Sequence, residues 1–125
     1  MPGLTQYAVN KIVDHAFRGV AWTPPATYYL KPHVGDPTDA GTASPSVVTT
    51  RQLATLSASA GGLTALTVDV HWTATAREAI SHVSLWDDLT AGHCVATIEL
   101  EDAINVYTGD ILKLPALSLR IPADA

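Results

Sequence analysis

The residues of this chain that could do chemistry are few: five histidines, a single cysteine, and an Asp14-His15 pair. An acid beside a base suits an orienting dyad. Neighbours on a helix, however, point about 100° apart, so these two do not orient each other. A triad would need a nucleophile from elsewhere, and no G-x-S-x-G stands in the chain. The pair reads as helix surface, with His15 supporting the C-terminal end of the helix when protonated. His33, His71, His82 and His93 form no pair at i, i+2 or i+4, whereas structural zinc wants four close ligands. His93-Cys94 could supply two ligands or a nucleophile, but strand alternation puts Cys94 on the apolar face, as a buried and inert thiol. Asp36 and Asp39 in "GDPTDAG" resemble half a calcium loop. A calcium site needs six or more oxygens and no D-x-D-x-D-G run is present, so the segment reads as turns. No catalytic residue, metal or cofactor is expected.

Aromatic side chains offer a different possibility. Trp86 and Tyr29 fall on strand faces otherwise lined by polar residues. Exposed aromatics mark binding sites for protein or sugar. The competing expectation is that this second face is covered by a helix or a loop.

The elements that must position these residues follow from periodicity. Leu4, Ala8, Ile12 and Ala16 recur every fourth residue, with Val9, Val13 and Phe17 beside them. This wide apolar stripe predicts a helix over about 5–18, whose apolar face must dock on something. Thr5 fits its N-cap and Gly19 its C-terminal stop. Trp22, beside two prolines, is expected to plug the seam between helix and sheet. Strands are expected at about 26–33, 49–57, 63–72, 79–87, 93–101 and 110–121. In the third, Leu66, Val68, Val70 and Trp72 alternate inward. In the last, the apolar phase slips near Pro115, which calls for a bulge or a break. The segment 35–46 is a long loop of turn chemistry; loops of this length are usually functional or mobile. The whole reads as one domain over 1–125, mainly β: a compact antiparallel β-sandwich or jelly-roll-like fold with one N-terminal α-helix.

Composition narrows the function. The chain is 47% hydrophobic and only 15% charged, too apolar for intrinsic disorder. Net charge is −5 with seven Lys and Arg. These are scattered, so no basic stripe is available for nucleic acid. One cysteine permits no intramolecular disulfide. No signal peptide and no membrane-spanning run is read in the chain.

The N-terminal third, "YAVNKIVDHAFRGVAWTPPATYYLKPHVGDPTDAGT", resembles a family of small phage virion proteins of the tail fibre-like or minor structural type. The resemblance rests on the run Tyr7, Asn10, Lys11, Ile12, Asp14 and His15. It continues through Gly19, an aromatic, "Thr-x-Pro-Ala-Thr" and the "Asp-Pro-Thr-Asp-x-Gly" turn at 36–41. More weakly, "TTRQLATLSASAGG", the span from His71 to Leu100 and "TGDILKLPALSLRI" look like its later strands. The chain departs from the family pattern at Trp22, where tyrosine or phenylalanine is usual, and at Lys31, where an apolar residue is usual. The resemblance implies a non-enzymatic virion component, either capsid-decorating or tail- and fibre-associated, assembled in the host bacterial cytoplasm. Its partners would be major capsid or tail proteins and further copies of itself, with no nucleic acid and no membrane. Candidate contact residues are Tyr29, Lys31, Asp36, Asp39 and Trp86. A glycan-binding adhesion module is the alternative, resting on the aromatics.

Overall fold

A computed structural model describes residues 3–116 and, for the backbone, 120–121. The fold is mainly β with antiparallel pairing and a single N-terminal helix. A short β1 (Gly3–Leu4) leads into α1 (Gln6–Arg18). Eight strands follow: β2 (Tyr28–His33), β3 (Gln52–Ala54), β4 (Thr64–Ala65), β5 (Val70–Thr73), β6 (Glu78–Trp86), β7 (Cys94–Val106), β8 (Ile111–Leu114) and β9 (Arg120–Ile121). Five strands make the main sheet in the order β1-β7-β6-β2-β3, and the pairs β4–β9 and β5–β8 form two small ribbons.

The helix forms where the sequence caps it. The Thr5 hydroxyl accepts from the Ala8 amide at 3.3 Å, and its own proton goes to the Cys94 carbonyl at 2.7 Å. Gly19 ends the helix at φ 67°, a left-handed conformation that side chains other than glycine enter at a cost.

The core lies between the main sheet and the β5–β8 ribbon. The cross-strand rows Leu30–Leu85–Ala96 and Pro32–Val83–Ile98 share one face of the sheet. On the ribbon, Val70 and Trp72 pair with Leu114 and Leu112 and are buried, while His71, Thr73, Ile111 and Lys113 point out. Apart from Pro32, both sets belong to one hydrophobic cluster. This is the two-layer, one-wet-face logic of an antiparallel sandwich. The Trp72 indole N–H finds the Thr50 carbonyl at 2.8 Å, so the largest core side chain buries no unmet donor.

The structure differs from the sequence reading where pairing overrides alternation. The expected strand 63–72 is split. Thr64–Ala65 pairs with β9, the chain bends at Thr67–Val68, and β5 then pairs with β8. Val68 is therefore 55% exposed instead of inward. Of 49–57, only Gln52–Ala54 joins the sheet, and β7 runs on to Val106, well past 101. The register of β6 against β7 shifts between Leu85 and Trp86, so Leu85 opposes Ala96 while Trp86 opposes Cys94. That bulge places Val95 in the core cluster and leaves Cys94 out of it. Cys94 is buried, but under the loop on the second face, where an added Cβ on Gly41 would meet its sulfur. The last strand breaks at Pro115, and the Ala116 amide donates to Asp69 at 2.8 Å. Leu117 and Leu119, on which the expected phase slip rested, lie outside the described residues.

Candidate interaction surface

The second face of the main sheet carries the residues singled out by type. Tyr29 stands opposite Trp86, Lys31 opposite Ser84, and His33 opposite His82. Loop 35–46 folds back over part of this face and is fixed at several points. Val34 donates to Ser44 at 2.9 Å and Ser46 to Pro32 at 3.2 Å. The Glu78 carboxylate takes the Ser46 hydroxyl at 2.6 Å and the Val47 amide at 3.1 Å. Thr38 and Ser44 hold positive φ, 65° and 49°. Such conformations cost free energy and persist only where surrounding contacts fix them. Closest approach is at Gly41, with φ 74°, where an added Cβ would lie 3.0 Å from the Trp86 ring. The loop expected to be functional or mobile is thus a tied cover.

Under it runs a chain of hydrogen bonds. The Ala43 carbonyl can only accept, so His33 Nδ1, 2.9 Å away, carries the proton. The neutral ring then presents Nε2 as an acceptor for the Ser84 hydroxyl at 2.7 Å. Ser84 Oγ in turn accepts the Trp86 indole N–H at 2.7 Å. Burial, the largest influence, lowers the His33 pKa and favours this neutral form. A histidine beside a serine is the geometry of an activated nucleophile. Here both residues are fully buried and the serine oxygen is already engaged. The pair holds the loop to the sheet.

Trp86 is 6% exposed. The Arg51 guanidinium lies 3.9 Å above its ring and donates to the Asp88 and Ala91 carbonyls at 2.8 and 2.7 Å. The exposed-aromatic expectation fails for Trp86 because loop 35–46 and Arg51 cover it. Cys94 shares this cover, and burial pushes its thiol pKa up to about 11. Asp39 accepts the Gln6 amide at 2.8 Å, so the loop also caps the first turn of α1. Asp36 accepts from the Thr38 amide at 2.9 Å, an Asx turn. Tyr29 is half-buried, its hydroxyl 3.4 Å from Thr27 Oγ1. Lys31, also half-buried, lines a groove of about 460 Å³ with Thr49, Thr50, Arg51, Leu89 and Thr90. Burial first, and then the Arg51 charge, lower the Lys31 pKa. Among the described residues, no three His, Cys, Asp or Glu side chains gather as a metal site.

The helix provides what residue chemistry did not single out. Its first turn is anchored: Ala8 is buried, and Tyr7 stacks on His93 with centroids 3.9 Å apart and planes 5° apart. Beyond it, every residue from Asn10 to Val20 except Asp14 is exposed. Ile12 and Val13 are each 42% exposed and Phe17 is 84% exposed. Asp14 pairs with Arg18 at 3.2 Å, and His15 Nδ1 lies 3.0 Å from the Val20 carbonyl. The sequence signal was the stripe itself, a face expected to dock on something; among the described residues nothing covers Phe17, and Ile12 and Val13 stay exposed. Trp22 is half-buried in the extended segment that follows.

The sequence model of one family, described as Podophage GP4 fiber I protein gp80, matches residues 3–122. The chain belongs to that family. It is a structural fibre component of a phage virion. No curated protein shows significant similarity to it. The match spans the helix, the covered sheet and both ribbons together, so family and fold coincide over nearly the whole chain. Among the described residues no helix is long and apolar enough to cross a membrane.

Proposed function

We propose that this chain is a non-enzymatic subunit of the phage tail fibre, assembled in the host cytoplasm and working by association with neighbouring virion proteins. The observation that carries the reading is a contrast within the molecule. The histidine–serine pair and the thiol are sealed beneath loop 35–46, while a firmly anchored helix presents an open apolar stripe. A subunit built this way offers a docking surface and keeps its reactive groups from solvent. Attachment at the tail is favoured over capsid decoration by the fibre family to which the chain belongs. Tyr29 and Lys31 are proposed as secondary contacts. Asp36 and Asp39 contribute through the shape of the loop they hold, and Trp86 through the face it stiffens. A cryo-EM map of the virion, searched for this fold, tests the proposal. Density at the tail is expected; density on the capsid shell, or none on the particle, overturns it.

A second reading, a glycan-binding adhesion module, is favoured by the groove beside Lys31. Two cations and three threonine hydroxyls line it, a donor set suited to an acidic sugar. A glycan array with the purified protein tests this. Binding to acidic glycans that is lost in Lys31→Glu supports it, and silence across the array removes it.

A further inference from the structure

Loop 35–46 is a strained cover fastened at one buried point. Thr38 and Ser44 hold positive φ, 65° and 49°. Side chains enter that region at a cost, so the closed loop persists only while its contacts outweigh the strain. The central contact is His33, fully buried, with one ring nitrogen on the loop and the other on the sheet. Nδ1 donates to the Ala43 carbonyl at 2.9 Å, and Nε2 accepts from the Ser84 hydroxyl at 2.7 Å. The second bond in this form exists only for the neutral ring. A proton added at Nε2 would face the Ser84 oxygen, which already accepts the Trp86 indole N–H at 2.7 Å, and the serine's own proton would lose its acceptor.

The surroundings oppose a charge on this ring. Burial acts first, and the charges of Lys31 on β2 and His82 opposite on β6 act in the same direction, while the Ala43 and Ser44 carbonyls of the loop act against them. The carboxylates of the neighbouring elements are engaged elsewhere. Asp36 bonds the Thr38 amide, Asp39 the Gln6 amide and Glu78 the Ser46 hydroxyl, and Glu99 lies 3.9 Å from His82. A buried imidazolium in this setting is costly, and swinging the loop away to admit water relieves it. The loop is also tied to α1. Asp39 caps its first turn at 2.8 Å, and Gly41 lies against Cys94, whose carbonyl takes the Thr5 hydroxyl at 2.7 Å. Displacing the loop therefore takes a cap from the helix.

We propose that His33 is an acid-operated latch: its protonation lifts loop 35–46 from the sheet, uncovers Trp86 and Cys94, and removes the Asp39 cap from α1. The latch goes beyond the fibre reading, and its test on the free chain stands whatever the helix docks on. Cys94, the single cysteine, reports the opening. Its rate of reaction with dithiodipyridine, divided by the rate for the urea-unfolded chain at the same pH, gives the open fraction. That fraction should rise on the order of tenfold between about pH 7 and about pH 5, because the open loop lets His33 regain its ordinary pKa of about 6.5. His33→Gln offers an amide N–H to Ala43 and an oxygen to Ser84 without titrating, and should lose the rise. His82→Gln should keep it. Over the same range, amide exchange followed by NMR should show Gln6 and Val34, held by the loop's Asp39 and Ser44, losing protection together. Val83 and Leu85, in the strand between β2 and β7, should keep theirs. A rise that persists in His33→Gln, or vanishes only in His82→Gln, overturns the latch. So does a thiol rate that climbs with sub-denaturing urea as steeply as global unfolding does, or a Gln6 amide that stays protected while Val34 opens.

Discussion

Trp86 and Phe17 sit at opposite extremes of one molecule, 6% and 84% exposed. Both are large aromatics on amphipathic elements that meet β7 or its neighbour. Trp86 is covered from within, by a loop that arrives at Gly41 and a guanidinium that lies flat on the ring. Phe17 has no such cover among the described residues. The chain uses a 12-residue loop, three positive-φ residues and a buried histidine to close one face, and among the described residues leaves the other open. The difference separates a surface that stabilises the subunit from a surface proposed for docking.

The comparison can be broken most forcefully at the closed face. Trp86→Ala removes a buried ring and the N–H that Ser84 accepts, and should cost about 3–5 kcal/mol in urea denaturation. A loss below about 1 kcal/mol would mean the cover is superficial. Gly41→Val should cost about 2–3 kcal/mol, because a side chain there is strained at φ 74° and collides with Cys94 and Trp86.

Acid should weaken the same face more gently. The folded-state pKa of His33 is lowered, so the unfolded chain takes up the proton first. Stability from this group is whole above the ordinary histidine pKa of about 6.5 and falls as pH drops below it, by up to ~1.4 kcal/mol per pH unit. His33→Gln should flatten that slope in pH-dependent melting, and a slope kept by the variant would place the sensitive group elsewhere. At the open face the effect on the isolated subunit should be smallest. Phe17→Ser, measured at concentrations where the protein is monomeric, should shift stability by no more than about 0.5 kcal/mol. A larger loss would show that Phe17 packs within its own chain.

How much of this the sequence made legible depends on the range of the interaction. The helix and its stops were readable because Thr5, Gly19 and the apolar spacing are local signals. The inward rows of β5 and β8 were readable for the same reason. The bulge that moves Cys94 out of the core was not, because it is set by pairing with β6. The bend at Val68 arises because one segment serves two ribbons. Whether a polar-lined face is open or covered was beyond alternation, which assigns faces but not what lies over them. Loop closure rests on partners far apart in sequence, such as Asp39 with Gln6 and His33 with Ser84. The apolar stripe was visible from the start; that it stays exposed among the described residues could be seen only in the three-dimensional fold. Trp86 illustrates the cost of the missing information: its polar neighbours made it a contact candidate, and those same neighbours prove to be the hydrogen-bond chain beneath a cover.

Maleimide labelling of Val13→Cys, on the free chain and in assembled particles, tests the central claim most directly. Val13 lies near the middle of the open stripe, and the native thiol, Cys94, is buried with its pKa raised to about 11, so the new cysteine alone reacts. If the stripe docks on a neighbouring virion protein, this thiol should be labelled by maleimide on the free chain and protected on the intact particle. A residue-13 thiol that is as freely labelled on the intact particle as on the free chain would contradict the account.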